Sequence, residues 1–160
     1  MYYVNGYEGS ILEEAKATYN YATYGVLYNW PAVMTEGICP SGWHIPSDGE
    51  WQTMEMSLGM SEAEAASEGW RGAPVGDYMK STSGWNSNGN GSNSSGFDGR
   101  PGGYAYSGGF YPNGYIGSWW SSSASGSSSA WLRNLYYLNG NVNRSNYLRD
   151  DGLPARCLWD

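Results

Sequence analysis

The chain has 160 residues, with 24 Gly, 15 Tyr, 9 Trp and only 2 Phe, and just 14% of its residues are charged. This composition excludes coiled coils and helical bundles, which draw on Ala, Glu, Lys and Leu, and its aromatics supply burial that disordered chains lack. A net charge of −7 argues against a phosphate-tracking nucleic-acid binder and a polybasic membrane-surface module, and no apolar run reaches membrane-spanning length.

After Met1 comes Tyr-Tyr-Val-Asn-Gly, with neither the basic nor the apolar part of a signal peptide. The expectation is a chain not exported by that route, or one that starts at a domain boundary. Ser10-Ile-Leu-Glu13 has the pattern of a capping box and predicts a short helix near 11–17. Tyr24 to Trp30 reads as a strand with Val26, Tyr28 and Trp30 on one face. Ser47-Asp-Gly-Glu50 is a second capping box. It opens a helix with Trp51, Met54 and Leu58 at helical spacing, stopped by Gly59. Ser61-Glu-Ala-Glu64 is a third, starting a helix that ends by Gly69.

The stretch 83–114 is rich in Gly, Ser and Asn, yet carries Trp85, Phe97, Tyr104, Tyr106, Phe110 and Tyr111. A flexible linker has no use for such rings, so an ordered loop region is expected. From Ile116 the pattern turns to β, with strands at 116–123, 130–138, 141–148 and 153–158. Asn139-Gly140 predicts a type I′ hairpin between the middle two. Helices first and an antiparallel sheet last give a single α+β domain over 1–160.

Chemistry-bearing residues are sparse. His44 is the single histidine, and its neighbours Ser47 and Asp48 are better used as helix cap and first turn, so a structural role is expected. Asn88, Asn90, Asn93 and Asp98 offer oxygens to calcium but only one full charge, so solvated loop residues are expected, with no metal and no cofactor. Cys39 and Cys157 permit one disulfide, or are two separate buried thiols. The tract Leu132–Asp151 is the most unusual segment. Its Asn, Tyr, Ser and Asp are the residues of adaptable binding surfaces, where tyrosine gives contact area and amides give hydrogen bonds.

Several segments stand in an order that resembles a known family. They are Tyr24-Gly-Val-Leu-Tyr-Asn-Trp30, Cys39-Pro-Ser-Gly-Trp-His-Ile-Pro-Ser-Asp-Gly-Glu-Trp51, Ser95-Gly-Phe97, Pro101-Gly-Gly103, Gly117-Ser-Trp-Trp-Ser-Ser-Ser123 and Arg156-Cys157. Together they resemble the Fibrobacter succinogenes major paralogous domain. That family is similar to the formylglycine-generating branch of the C-type-lectin fold. The resemblance implies short helices flanking a small twisted antiparallel sheet, a Cys39–Cys157 disulfide, and an extracellular or cell- or virion-surface location. It does not extend to activity. The enzymes of that branch use two reactive cysteines close together near the C-terminus, and Cys157 has no such neighbour. The Glu-Pro-Asn and Trp-Asn-Asp calcium motifs of carbohydrate-binding lectins are absent as well.

A narrower resemblance is to the variable proteins of diversity-generating retroelements, in which adenine-directed mutation rewrites Asn codons near the gene's end. It implies a non-enzymatic domain binding a protein or glycan ligand on a cell surface, with no nucleic acid and no membrane insertion. The contacts it implies are Asn134, Tyr136, Tyr137, Asn139, Asn141, Asn143, Ser145, Asn146, Tyr147 and Asp150. Tyr136, Tyr137 and Tyr147 would be the anchors, and Val142, Arg144 and Arg156 scaffold. Of Trp119 and Trp120, at least one is expected in the core. The other readings carried from the sequence are a structural module of a surface assembly and, least favoured, an enzyme of the formylglycine-generating type.

Overall fold

The computed structural model describes residues 2–160. Strand β1 (Tyr2–Tyr3) is followed by helices α1 (Leu12–Lys16) and α2 (Tyr19–Tyr24), strand β2 (Leu27–Tyr28), helix α3 (Trp30–Val33) and strand β3 (Trp43–His44). Helices α4 (Asp48–Ser57) and α5 (Glu62–Ala66), strand β4 (Gly69–Arg71) and helix α6 (Val75–Met79) come next. The rest is β5 (Tyr104–Tyr106), β6 (Gly109–Tyr111), β7 (Ile116–Ala124), β8 (Ser129–Tyr136), β9 (Val142–Leu148) and β10 (Leu158–Trp159). The principal sheet is antiparallel in the order β4-β9-β8-β7. Three two-stranded sheets, β1-β2, β10-β3 and β5-β6, surround it. The architecture is mixed helix and antiparallel sheet.

The second and third capping boxes form as expected. Ser47 Oγ accepts from the Glu50 backbone N–H while the Glu50 carboxylate accepts from the Ser47 N–H, and Ser61 and Glu64 repeat the arrangement. Ser10 does not cap. The first helix starts at Leu12 behind Ile11, which makes no side-chain cap bond. The strand expected over Tyr24–Trp30 shrinks to Leu27–Tyr28, because local caps take its two ends. Thr18 caps α2, which runs through Tyr24, and Asn29 Oδ1 accepts from the Ala32 N–H to open α3. Leu27, not its neighbours, is the buried residue. The segment 153–158 is largely extended without a ladder: Leu153 bridges Tyr28, and the strand proper is Leu158–Trp159, paired with β3.

The turn between β8 and β9 also departs from expectation. It spans residues 137–141, and neither Asn139 nor Gly140 takes a positive φ, so it is no type I′ turn. Tertiary contacts shape it instead. The Gly76 N–H donates to the Gly140 carbonyl at 2.8 Å, and Lys80 Nζ donates to the Asn139 carbonyl at 2.9 Å. Glycine permits this approach. A Cβ at Gly76 would lie 2.4 Å from the Asn141 carbonyl oxygen, and one at Gly89 would lie 2.1 Å from that of Tyr137.

Two apolar clusters cover the two faces of the principal sheet. On the helix side, Trp51, Met60, Val75, Met79, Trp85, Phe97, Trp119, Leu135 and Val142 pack together. On the other, Val33, Ile45, Trp120, Ala130, Leu132 and Leu153 do so. Adjacent strand residues point to opposite faces, so Trp119 and Trp120 both become core, one on each side. Burying Leu132 or Leu153 contributes about 1.5–3 kcal/mol each. The segment 83–114 is ordered, as expected. Trp85 is buried and its indole donates to Ser81 Oγ and the Gly99 carbonyl. Part of the segment forms the β5–β6 hairpin, whose three-residue strands are too short to give a periodic signal.

The inward face of α4 is Asp48, Trp51 and Glu55, with Met54 and Leu58 flanking it, rather than the expected Trp51–Met54–Leu58 stripe. Guanidinium groups rising from the sheet explain the difference. Arg133 Nε meets Glu55 at 2.5 Å, Arg71 meets the other Glu55 oxygen at 2.6 Å, and Arg133 and Arg144 share Asp48 at 2.7 and 2.8 Å. Glu55 and Arg133 are fully buried. Cys39 and Cys157 are joined in a disulfide that ties the last strand region to the first quarter of the chain.

Candidate functional site

The tract Leu132–Asp151 lies on β8, the 137–141 turn and β9. Pairing assigns its residues to faces. Arg144 stands opposite Arg133, and Val142 opposite Leu135, on the helix side. Asn143 stands opposite Asn134, Ser145 opposite Leu132, and Tyr147 opposite Ala130, on the outer side. Extending these pairs gives one outer row, Trp70–Asn143–Asn134–Ser118, across β4, β9, β8 and β7.

Above this row is a cleft of about 420 Å³ lined by Trp70, Tyr104, Tyr111, Ile116, Asn134, Tyr136, Asn139, Asn143 and Tyr147. Its walls are aromatic. On one side the Trp70 and Tyr136 rings lie 5.8 Å apart. On the other, Tyr104 stacks on Tyr111 at 5.2 Å and meets Tyr147 at 5.2 Å. The β5–β6 hairpin supplies that second wall. It is held by Asn5, whose side-chain amide donates to the Tyr111 carbonyl at 2.8 Å, and by the Ala105–Gly152 backbone bridge.

The floor is polar and incompletely paired. Asn134 is 1% exposed, and its Nδ2 reaches only the Tyr147 hydroxyl, at a long 3.4 Å. The carboxamide oxygens of Asn134 and Asn143 and the Ser118 hydroxyl have no partner among the described residues. Buried polar atoms in folded proteins are nearly always paired, so three such atoms in one row stand out. Burial is the main cause that pushes the Tyr104 hydroxyl well above the ordinary tyrosine pKa, with Tyr147 adding to it. The hydroxyl is therefore a neutral hydrogen-bonding group at physiological pH.

The tract does not act as a single surface. Asn134, Tyr136, Asn139, Asn143 and Tyr147 come together in the cleft. Ser145 shares their face but lies outside the lining, opposite Leu132. Asn146 projects from the helix side of β9, opposite Trp131, and is exposed. Tyr137 is not part of the cleft lining; it packs on the helix-side core, with its ring 5.1 Å from that of Tyr115 and 4.8 Å from that of Tyr136. Asn141 donates its N–H to Asn139 Oδ1 within the turn, and Asp150 is exposed in the turn after β9. Trp70, Tyr104, Tyr111 and Ile116 were not legible as site residues. They come from β4, β5, β6 and β7, and no spacing in the sequence joins them to the tract.

Elsewhere the polar residues brace the fold. Val142 is fully buried, Arg144 stacks 3.8 Å from the Trp131 ring centroid, and Arg156 donates to the Phe97 carbonyl. His44 joins Glu50 at 2.9 Å and Asp160 at 2.5 Å. Asn93 Oδ1 accepts from the Asp98 N–H, and Asn90 Oδ1 from the Trp85 N–H. These oxygens fix the loop's own backbone. Among the described residues no helix is long and apolar enough to cross a membrane.

No curated protein and no solved structure matches the chain. One family does: the model of the Fibrobacter succinogenes major domain covers residues 3–158, nearly the whole length, and the chain belongs to that family.

Proposed function

We propose that this chain is a non-enzymatic ligand-binding domain, built on a C-type-lectin-like scaffold, that presents its aromatic cleft at a cell or virion surface. The observation that carries this reading is the division of labour within one tract. Asn134, Tyr136, Asn139, Asn143 and Tyr147 line the cleft, while the intervening Arg133, Leu135, Val142 and Arg144 are locked into the helix side. Such alternation separates the cleft lining from the buried charge cluster on the helix side, which suits a diversified face.

The cleft lining is Trp, Tyr, Ile and Asn. It offers no group poised for proton transfer or nucleophilic attack near neutral pH. The Cys39–Cys157 bond weighs against a formylglycine-type activity, which needs a reactive thiol, and it favours an oxidising compartment. The competing reading is a structural module whose outer face is covered by a neighbour.

Oxidation of Trp70 by N-bromosuccinimide, followed by peptide mapping, separates the two. Trp70 is 43% exposed, while Trp120 is fully buried. A receptor face leaves Trp70 as reactive on the intact cell or particle as in the isolated domain. Protection of Trp70 only in the native assembly would favour the structural module.

A further inference from the structure

We infer that the ligand of this cleft is a neutral saccharide, which deepens the reading above and rests on it. Three observations point the same way. First, the lining residues are all uncharged: one Trp, four Tyr, one Ile and three Asn. An ionised ligand seated there would lose hydration with no opposite charge to replace it. The chain's net charge of −7 further disfavours anionic sugars, nucleotides and phosphorylated ligands.

Second, the walls are built from aromatic side chains. Trp70 stands 43% exposed at one rim, and the stacked Tyr104–Tyr111 pair forms the opposite wall. The C–H groups of a pyranose carry slight positive charge and pack on the negative face of an aromatic ring. The volume of about 420 Å³ falls in the range of small-ligand sites.

Third, the floor holds polar atoms that no protein group pairs. Asn134, nearly fully buried, and Asn143 opposite it each hold a carboxamide oxygen without a partner, and Ser118 continues the row. A saccharide hydroxyl donates through its proton and still accepts from a tyrosine hydroxyl or an amide N–H. A ring lying between Trp70 and Tyr104 would present its hydroxyl edge to this row. An apolar ligand would leave the oxygens unpaired.

The test uses the full chain and a fixed probe set: cellotriose, maltotriose, mannotriose, xylotriose and triacetylchitotriose as neutral sugars, and sialyllactose and a heparin tetrasaccharide as charged ones. Binding is read by calorimetry and by NMR shifts of the Trp70 indole and Asn side-chain amides. A phage-displayed random-peptide library is panned in parallel. The expected result is saturable binding of at least one neutral trisaccharide, with shifts confined to cleft residues, and about tenfold or greater weakening in Trp70→Ala and Asn143→Leu. Both variants are checked for an unchanged unfolding midpoint. Tighter binding of a charged sugar overturns the inference and leaves the cleft as a binding site. So do peptides that need Trp70 when no sugar binds. No Trp70-dependent binding of any probe overturns both the inference and the reading beneath it.

Discussion

Asn134 and Asn143 face one another across β8 and β9 at the floor of an aromatic cleft, and each holds a carboxamide oxygen that meets no protein donor. Leaving a buried polar atom unpaired costs about 1–3 kcal/mol. On the proposed function, a ligand hydroxyl seated in the cleft would pair them and offset that cost.

Replacement of Asn134 by Leu, of similar size, therefore raises stability by about 1 kcal/mol, since the one bond lost is the long contact to Tyr147. Urea unfolding of Asn134→Leu measures it. A loss of more than about 1 kcal/mol would mean that Asn134 is a structural group.

Glu55 presents the opposite case. It is fully buried and pairs with both Arg133 and Arg71. Glu55→Gln leaves two guanidinium groups facing a neutral amide inside the protein. The expected loss is about 3–5 kcal/mol by chemical denaturation. A loss below about 1 kcal/mol would show that water reaches the cluster.

Asp48 sets the acid limb of stability. Burial raises its pKa, but hydrogen bonds and charge from Arg144 and Arg133 outweigh burial, so its folded pKa lies below the ordinary value. A depressed carboxylate contributes stability that is present above its unfolded pKa, about 4, and is lost as pH falls through the folded value. His44 has the reverse sign. Hydrogen bonds donated to the Asp160 and then the Glu50 carboxylate raise its pKa, so its contribution is complete below about pH 6.5 and fades as pH rises through the folded value. Melting temperatures of the wild type, Asp48→Asn and His44→Gln across pH 3–9 check both. The first variant should flatten the acid side, and the second the neutral-to-alkaline side.

The disulfide spans a sequence separation of 118 and secures the two residue pairs of β3 and β10. On the chain-entropy view it contributes about 4–5 kcal/mol. Cys39→Ser with Cys157→Ser should lower stability by about 2–5 kcal/mol while leaving Trp70 as reactive to N-bromosuccinimide as before. A change at Trp70 would mean that the cleft depends on the C-terminal strand.

The sequence was most legible where structure is local. The boxes at Ser47 and Ser61 need only residues three apart, and both form. The long strands β7, β8 and β9 fall largely within the segments read as β from Ile116 onward. The region around Tyr24–Trp30 misled because two local caps, Thr18 and Asn29, outweighed an alternating pattern. The Asn29-Trp-Pro31 start was a usable helix signal. The turn at Asn139-Gly140 misled because α6 grips it from outside. Half of the cleft was visible in the composition of one tract. Trp70, Tyr104 and Tyr111 were not, since three short strands bring them in from distant parts of the chain.

Deep sequencing of this gene across a natural population of its source tests whether the outer face is, as we propose, a variable receptor surface. Substitutions are expected to concentrate at Asn134, Tyr136, Asn139, Asn143 and Tyr147, with Arg133, Leu135, Val142 and Arg144 unchanged. Substitutions scattered evenly through residues 132–151, or absent from the cleft positions, would contradict it.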